Sequence, residues 1–153
     1  TKNANSLRPV LIGNQAPNLI LLDTNNSFTA MYKVEAKYTI VLFYEFDCGH
    51  CKKEITALKT WEQESEIDFK LFAVCTDTSL VKWRKFIREK EMHWINANGT
   101  RSVTQDYHGL YNIQMTPSLF LLDENKKIIA KRLKTEQLQP FLENYDRRRQ
   151  LNN

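Results

Sequence analysis

No run in this sequence is long and apolar enough to span a bilayer, and its N-terminus carries neither a hydrophobic signal core nor an initiator methionine. The chain therefore reads as a mature or trimmed segment. Cysteine is scarce, with Cys48, Cys51 and Cys75 the full set of three, a number that fits cytosol or periplasm equally well. Histidine is as sparse. His50, His93 and His108 are scattered, and no second Cys-x-x-Cys or His-x-x-x-His accompanies the single pair at Cys48 and Cys51. A four-ligand zinc site, the other common use of that spacing, is thus left short of ligands. Excess charge is also small: of the formal +4, three charges come from Arg147, Arg148 and Arg149 near the end, which read as a solvated tail and give no support to nucleic-acid binding. Internal repeats and low-complexity segments are absent.

What is present is an ordinary globular composition, 42% hydrophobic and 26% charged over 153 residues, enough for one domain with a substantial core. Its centre is the stretch from Ile40 to Leu58. Ile40 to Tyr44 is a short apolar run rich in β-branched and aromatic residues, the pattern of a strand buried on both faces. From Cys51 the apolar positions recur at Ile55, Leu58 and Trp61, one face of a helix, with Lys52, Lys53, Glu54 and Lys59 outside.

The two cysteines thus fall at a strand-to-helix junction. A helix N-terminus presents unpaired N–H groups and partial positive charge, both of which favour a thiolate at Cys48. Three residues further on, Cys51 lies on the same helical face, placed to close a small disulfide ring from a more buried position. This suits reversible dithiol chemistry, in which Cys48 attacks a disulfide and Cys51 resolves the mixed disulfide.

Around this centre the chain reads as alternating strands and helices. Thr1 to Arg8 is polar and loose; Leu19 to Leu22 and Phe28-Thr29, joined by a turn-rich Asp23-Thr-Asn-Asn-Ser, form a hairpin ahead of the main fold; Met31 to Val34 fits one helical turn. Asp68 to Cys75 is the next strand, expected parallel to the first through a right-handed crossover that brings Cys75 to the edge where the Cys51 helix begins. Thr78 or Ser79 caps a helix bearing Leu80, Trp83 and Ile87. Trp94 to Ala97 is a short strand, Asn98-Gly99 a turn, and Ser102 the cap of a helix carrying Val103, Tyr107 and Leu110. Ser118 to Leu122 and Lys127 to Leu133 form a second hairpin, and Thr135 opens a last helix whose regular part Pro140 delays.

Thr116-Pro117 opens the first strand of that second hairpin. Because proline cannot donate to a ladder, a cis bond is one solution there, but an arbitrary X-Pro bond is cis only about 5 to 6% of the time and the residues alone do not overcome that.

The segments Ile12-Gly-Asn-Gln-Ala-Pro, Cys48-Gly-His-Cys-Lys-Lys-Glu, Tyr111-Asn-Ile-Gln-Met-Thr-Pro and Leu121-Leu-Asp-Glu-Asn-Lys-Lys-Ile-Ile together resemble the thioredoxin-like superfamily. More narrowly they resemble its TlpA/ResA-type thiol-disulfide oxidoreductases, especially those of Bacteroidetes, over Ile12 to about Tyr145. The resemblance implies an α/β thioredoxin-like fold, with a central mixed β-sheet flanked by helices and an N-terminal β-hairpin extension. It implies reduction of disulfide-containing proteins in the periplasm or another extracytoplasmic space, supported by an upstream thiol partner. No cofactor or metal is implied beyond the Cys48–Cys51 disulfide, and a membrane tether outside this segment is compatible with it. The resemblance makes Pro117 the cis-proline facing the dithiol, with the Thr116 backbone turned outward to pair with a substrate strand.

Several positions depart from the family pattern. Asp47 stands where many relatives place tryptophan, Thr56 where many have a helix-kinking proline, and Leu42 where thioredoxins keep a buried aspartate. The Gly49-His50 dipeptide resembles that of protein disulfide isomerases, whose histidine stabilises the thiolate. Asp47 opposes this, since a carboxylate beside Cys48 disfavours negative sulfur. Dithiol families span roughly 150 mV, about 7 kcal/mol, so this balance sets the direction of electron flow, and an oxidase or isomerase and a non-catalytic interaction module remain the alternatives. Glu54 has two roles open to it, proton transfer as in ResA-like proteins or a solvated helix carboxylate. Cys75 reads as a buried structural thiol, with a third redox partner as the alternative. Tyr44, Phe46, Trp83 and Trp94 read as core, and His93 and His108 as surface or packing residues.

Overall fold

Tyr38–Tyr44 is a strand in which every residue is buried, and the rest of the sheet is laid out on either side of it. The computed structural model describes residues 10–102 and 107–151. In chain order the strands are β1 (Ile20–Asp23), β2 (Phe28–Ala30), β3 (Tyr38–Tyr44), β4 (Phe69–Cys75), β5 (Ile95–Ser102), β6 (Ser118–Leu122) and β7 (Ile128–Lys131). The helices are α1 (Gly49–Glu64), α2 (Leu80–Lys90), α3 (Tyr107–Tyr111) and α4 (Thr135–Leu151), and a 3-10 turn spans Met31–Lys33. They build one mixed sheet in the order β2-β1-β5-β4-β3-β6-β7. β3, β4 and β5 run parallel, while the two hairpins join antiparallel at opposite edges.

Alternation along β3 distributes its side chains to two cores. Tyr38, Ile40, Leu42 and Tyr44 meet Cys51, Ile55 and Leu58 of α1, Trp83 and Phe86 of α2, and Leu138 and Leu142 of α4. On the other face Val41 and Phe43 meet Tyr107 and Tyr111 of α3 together with Leu19, Leu21 and Met31 from the N-terminal part. Both faces of the central strands are therefore covered, which is why β3 reads as continuous apolar sequence. Phe43 anchors the second core, its ring stacked at 5.5 Å on Tyr107 and edge-on to Phe120 at 5.9 Å.

Four expectations change. Asn98 and Gly99 do not turn the chain; they lie inside β5, where Asn98 is fully buried, its amide donating to the Asp77 carbonyl at 3.0 Å and its oxygen accepting from Thr100 N–H at 2.9 Å. Gly99 is needed there for room, because a Cβ would sit 2.5 Å from the Tyr107 ring. Ser102 ends β5 and is not in helix, and Val103 lies outside the described residues. The last helix is regular from Thr135, with Pro140 inside it, and its first turn is capped from both sides: Glu54 of α1 accepts Thr135 N–H at 2.9 Å, and Gln137, within the helix, accepts the preceding Lys134 N–H at 2.8 Å. Arg147, Arg148 and Arg149 belong to that helix and not to a tail; Arg149 pairs with Glu124 at 3.1 Å and lies over the Tyr145 ring.

Candidate active site

The parallel crossover brings the C-terminal ends of β3 and β4 and the start of α1 to one edge of the sheet. Phe46 and Asp47 form the turn out of β3, and Cys48 is the N-cap of α1, with extended backbone and its sulfur accepting the Cys51 N–H at 3.2 Å. That bond is the one a serine or aspartate oxygen would make at an ordinary N-cap. Here it is spent on a sulfur that is half-buried, while Cys51 is fully buried.

Burial pushes the Cys51 thiol up to about 12, with the neighbouring Cys48 sulfur adding to the effect and hydrogen bonds from the Glu45 backbone and the Thr116 side chain working against it. All three cysteines are free thiols. Across from the pair, the Thr116–Pro117 bond is cis, and the Cys48 thiol donates to the Thr116 carbonyl over 3.8 Å. Two chain segments far apart in sequence thus meet at one sulfur.

Beside them opens a cleft of about 430 Å³, lined in part by His50, Glu54, Thr116 and Pro117. Gly49, His50 and Asp47 are exposed. Leu42, standing where thioredoxins keep an aspartate, is buried and lines the same cleft, so no carboxylate lies at that position. Glu54 is half-buried and is not a solvated carboxylate: its Oε2 accepts both Thr135 N–H at 2.9 Å and Thr135 Oγ1–H at 2.6 Å. It thereby ties the redox helix to the start of α4.

Two of these contacts were not legible in the sequence. Thr135 is recognisable as a helix start, but its partner is a glutamate on another helix. Asp77 holds the turn before Cys48, its carboxylate accepting Phe46 N–H at 3.0 Å, and is itself held through its carbonyl by Asn98. Its position just past Cys75, at the edge where the dithiol helix begins, was the available signal.

Cys75 is fully buried at the end of β4, opposite Tyr44, and its thiol is pushed up to about 12, chiefly by burial. Because the folded chain holds these two protons more tightly than the unfolded chain, both contribute their full stability below about pH 9 and lose it as pH rises toward about 12. Urea midpoints are expected to fall steadily from pH 8.5 to pH 10.5 and to fall less steeply in Cys75→Ser. The same variant, once folded, should retain disulfide exchange; loss of activity in a folded Cys75→Ser protein would bring Cys75 into the chemistry. His93 and His108 are exposed. Among the described residues no group of three or more His, Cys, Asp or Glu side chains is arranged to hold a metal ion, and no helix is long and apolar enough to cross a membrane.

A parallel-centred mixed sheet with a dithiol capping the helix after its central strand defines a class, the thiol-disulfide oxidoreductases of thioredoxin fold. Within it, the chain belongs to the AhpC/TSA family, whose sequence profile matches residues 12–131. It is similar to a domain of a possible thiol-disulfide isomerase from Cytophaga hutchinsonii, at 36% identity and a TM-score of 0.85, covering 94% of this chain and 98% of that one. The thioredoxin domain of a thiol-disulfide oxidoreductase from Bacteroides vulgatus superposes with a TM-score of 0.75 at 26% identity, covering 89% of this chain and 98% of that one. The thiol-disulfide oxidoreductase ResA of Bacillus cereus is 23% identical over 137 residues, 88% of this chain and 76% of that protein.

Proposed function

We propose that this chain reduces disulfides of extracytoplasmic proteins through Cys48 and Cys51. The Cys48 thiolate attacks one sulfur of the target disulfide, forming a mixed disulfide and releasing the other sulfur as thiolate. Cys51 then attacks Cys48, its proton passes to the departing substrate sulfur, and the chain is left with a Cys48–Cys51 disulfide. An upstream dithiol partner returns it to the reduced state by the reverse exchange. Thr116 receives the substrate backbone as an added strand, and Pro117 packs beside it. His50 and Asp47 set the charge around the attacking sulfur from opposite directions, Gly49 leaves that sulfur uncovered, and Glu54 holds the helix that carries both thiols. The region within about residues 12 to 145 acts as one thioredoxin-like domain.

The observation that carries the exchange chemistry is the asymmetry of the pair: Cys48 is half-exposed and accepts a helix N–H, whereas Cys51 is buried and burial pushes its thiol up to about 12. The reducing direction rests on the resemblance to ResA-type proteins. An isomerase is the second reading, favoured by the Gly49-His50 dipeptide and by the name of the Cytophaga relative. Equilibration against glutathione or a reference dithiol separates the two. A reductase is expected near the thioredoxin potential of about −270 mV and an isomerase near about −180 mV. A measured value at the upper figure would replace the first reading by the second.

A further inference from the structure

The cleft beside the dithiol is apolar within and basic at its rim. Met115, Pro117, Leu119 and Leu133 supply apolar surface, with Met115 74% exposed at the mouth, and Arg132 and Lys134 stand on the segment between β7 and α4. Arg132 takes a left-handed backbone conformation, φ 58°, and its N–H donates to the Leu119 carbonyl at 2.6 Å, which turns the chain off β7 so that residues 132–134 border the cleft. Neither the Arg132 nor the Lys134 side chain has an acidic partner among the described residues. The lining carboxylate, Glu54, is already held by both donors of Thr135.

From this charge pattern, and resting on the disulfide-reductase reading above, we infer that the cleft selects substrate segments carrying an acidic residue next to an apolar one beside the target cysteine. The apolar side chain enters between Met115, Leu119 and Leu133. The carboxylate meets Arg132 and Lys134. A backbone paired with Thr116 and passing over Pro117 runs directly along this cleft, since Thr116 and Pro117 line it too. Selection then occurs before exchange: the bound disulfide takes two electrons and two protons from the dithiol, and Cys48 and Cys51 end joined.

The test uses the reduced protein and two synthetic peptides closed by the same disulfide, differing only in Glu-Leu against Lys-Leu beside the attacked cysteine. Rates of peptide reduction are followed under single turnover. The Glu-Leu peptide should react about tenfold faster at low ionic strength, with the difference shrinking severalfold in 0.5 M salt as rim charges are screened. In R132Q/K134Q the ratio should approach one, and in R132E/K134E it should invert. Taking the ratio within each protein removes any general change in reactivity, and the salt dependence of the unaltered protein decides the matter even where a variant fails to fold. Equal rates for the two peptides in the unaltered protein, or preference for Lys-Leu, would overturn the inference while leaving the reductase reading standing. Failure to reduce either peptide would remove both.

Discussion

Replacing Cys48 by serine is expected to lower the rate of protein-disulfide reduction by roughly three orders of magnitude or more, because a hydroxyl at neutral pH is a far weaker nucleophile than a thiol. Cys51 should not take over. It is fully buried and its thiol is pushed up to about 12, so little thiolate forms near neutrality and no substrate sulfur reaches it. Cys51→Ala should behave differently, completing the first attack and stopping there, so that the protein accumulates covalently joined to its substrates. Mass spectrometry of acid-quenched mixtures distinguishes these outcomes, and iodoacetamide should label Cys48 before Cys51 in the reduced protein. Faster labelling of Cys51, or a Cys48→Ser protein that still turns over, would reverse the roles of the two sulfurs.

Trp83→Ala is expected to have the largest effect on stability. Trp83 is 1% exposed within the core shared by α1, α2 and α4, and its indole N–H donates to the Tyr44 hydroxyl at 3.0 Å. Truncation removes that packing, at a cost of about 3–5 kcal/mol. It also leaves the Tyr44 hydroxyl, whose ionisation burial already pushes well up, without its donor in an apolar setting. For a chain of this size each kcal/mol lowers Tm by about 2–4 °C, so a fall on the order of 10 °C should be seen by calorimetry. Trp83→Phe, which keeps most of the volume and loses only the N–H, should recover over half of it. The damage should reach the site as well: Phe86 stacks on Tyr44 at 5.9 Å and contacts Phe46 at 6.3 Å, and Phe46 lies in the turn that delivers Cys48. Slower disulfide exchange in the folded fraction of Trp83→Ala would show that coupling; a stability loss under about 1 kcal/mol would mean the core closes over the gap.

The dithiol's setting was legible because it is a local property. An apolar run of strand length, a helical spacing that starts at Cys51 and a cysteine at the N-cap position all lie within a window of about twenty residues, where period and propensity speak directly. The two hairpins and the burial of Tyr44, Phe46, Trp83 and Trp94 were legible for the same reason. Asn98-Gly99 misled because that dipeptide is the strongest local turn signal, and the opposing facts, an Asp77 carbonyl waiting for the Asn98 amide and a Tyr107 ring lying over Gly99, belong to other parts of the chain. Pro140 misled likewise: the helix start at Thr135 carries a cap from Glu54, which belongs to another helix.

By itself, then, the sequence determined which residues can do thiol chemistry, that one sulfur stands at a helix start and the other inside the helix, and which side chains are core. The family resemblance already placed Thr116-Pro117 against the dithiol, and the structure supplies the contact, Cys48 to the Thr116 carbonyl. Tertiary structure alone decided that Asp77 holds the turn at Phe46, that Glu54 caps α4 through Thr135, and that Arg132 and Lys134 border the cleft beside the pair. Each of those contacts joins segments that become neighbours only once β6 has docked on β3 and β4 has taken its parallel place on the other side. The physical reason is that local pattern reports what one element prefers, whereas a site of this kind is made where the ends of several elements converge, and that convergence is set by strand order and by the packing of helices on the finished sheet.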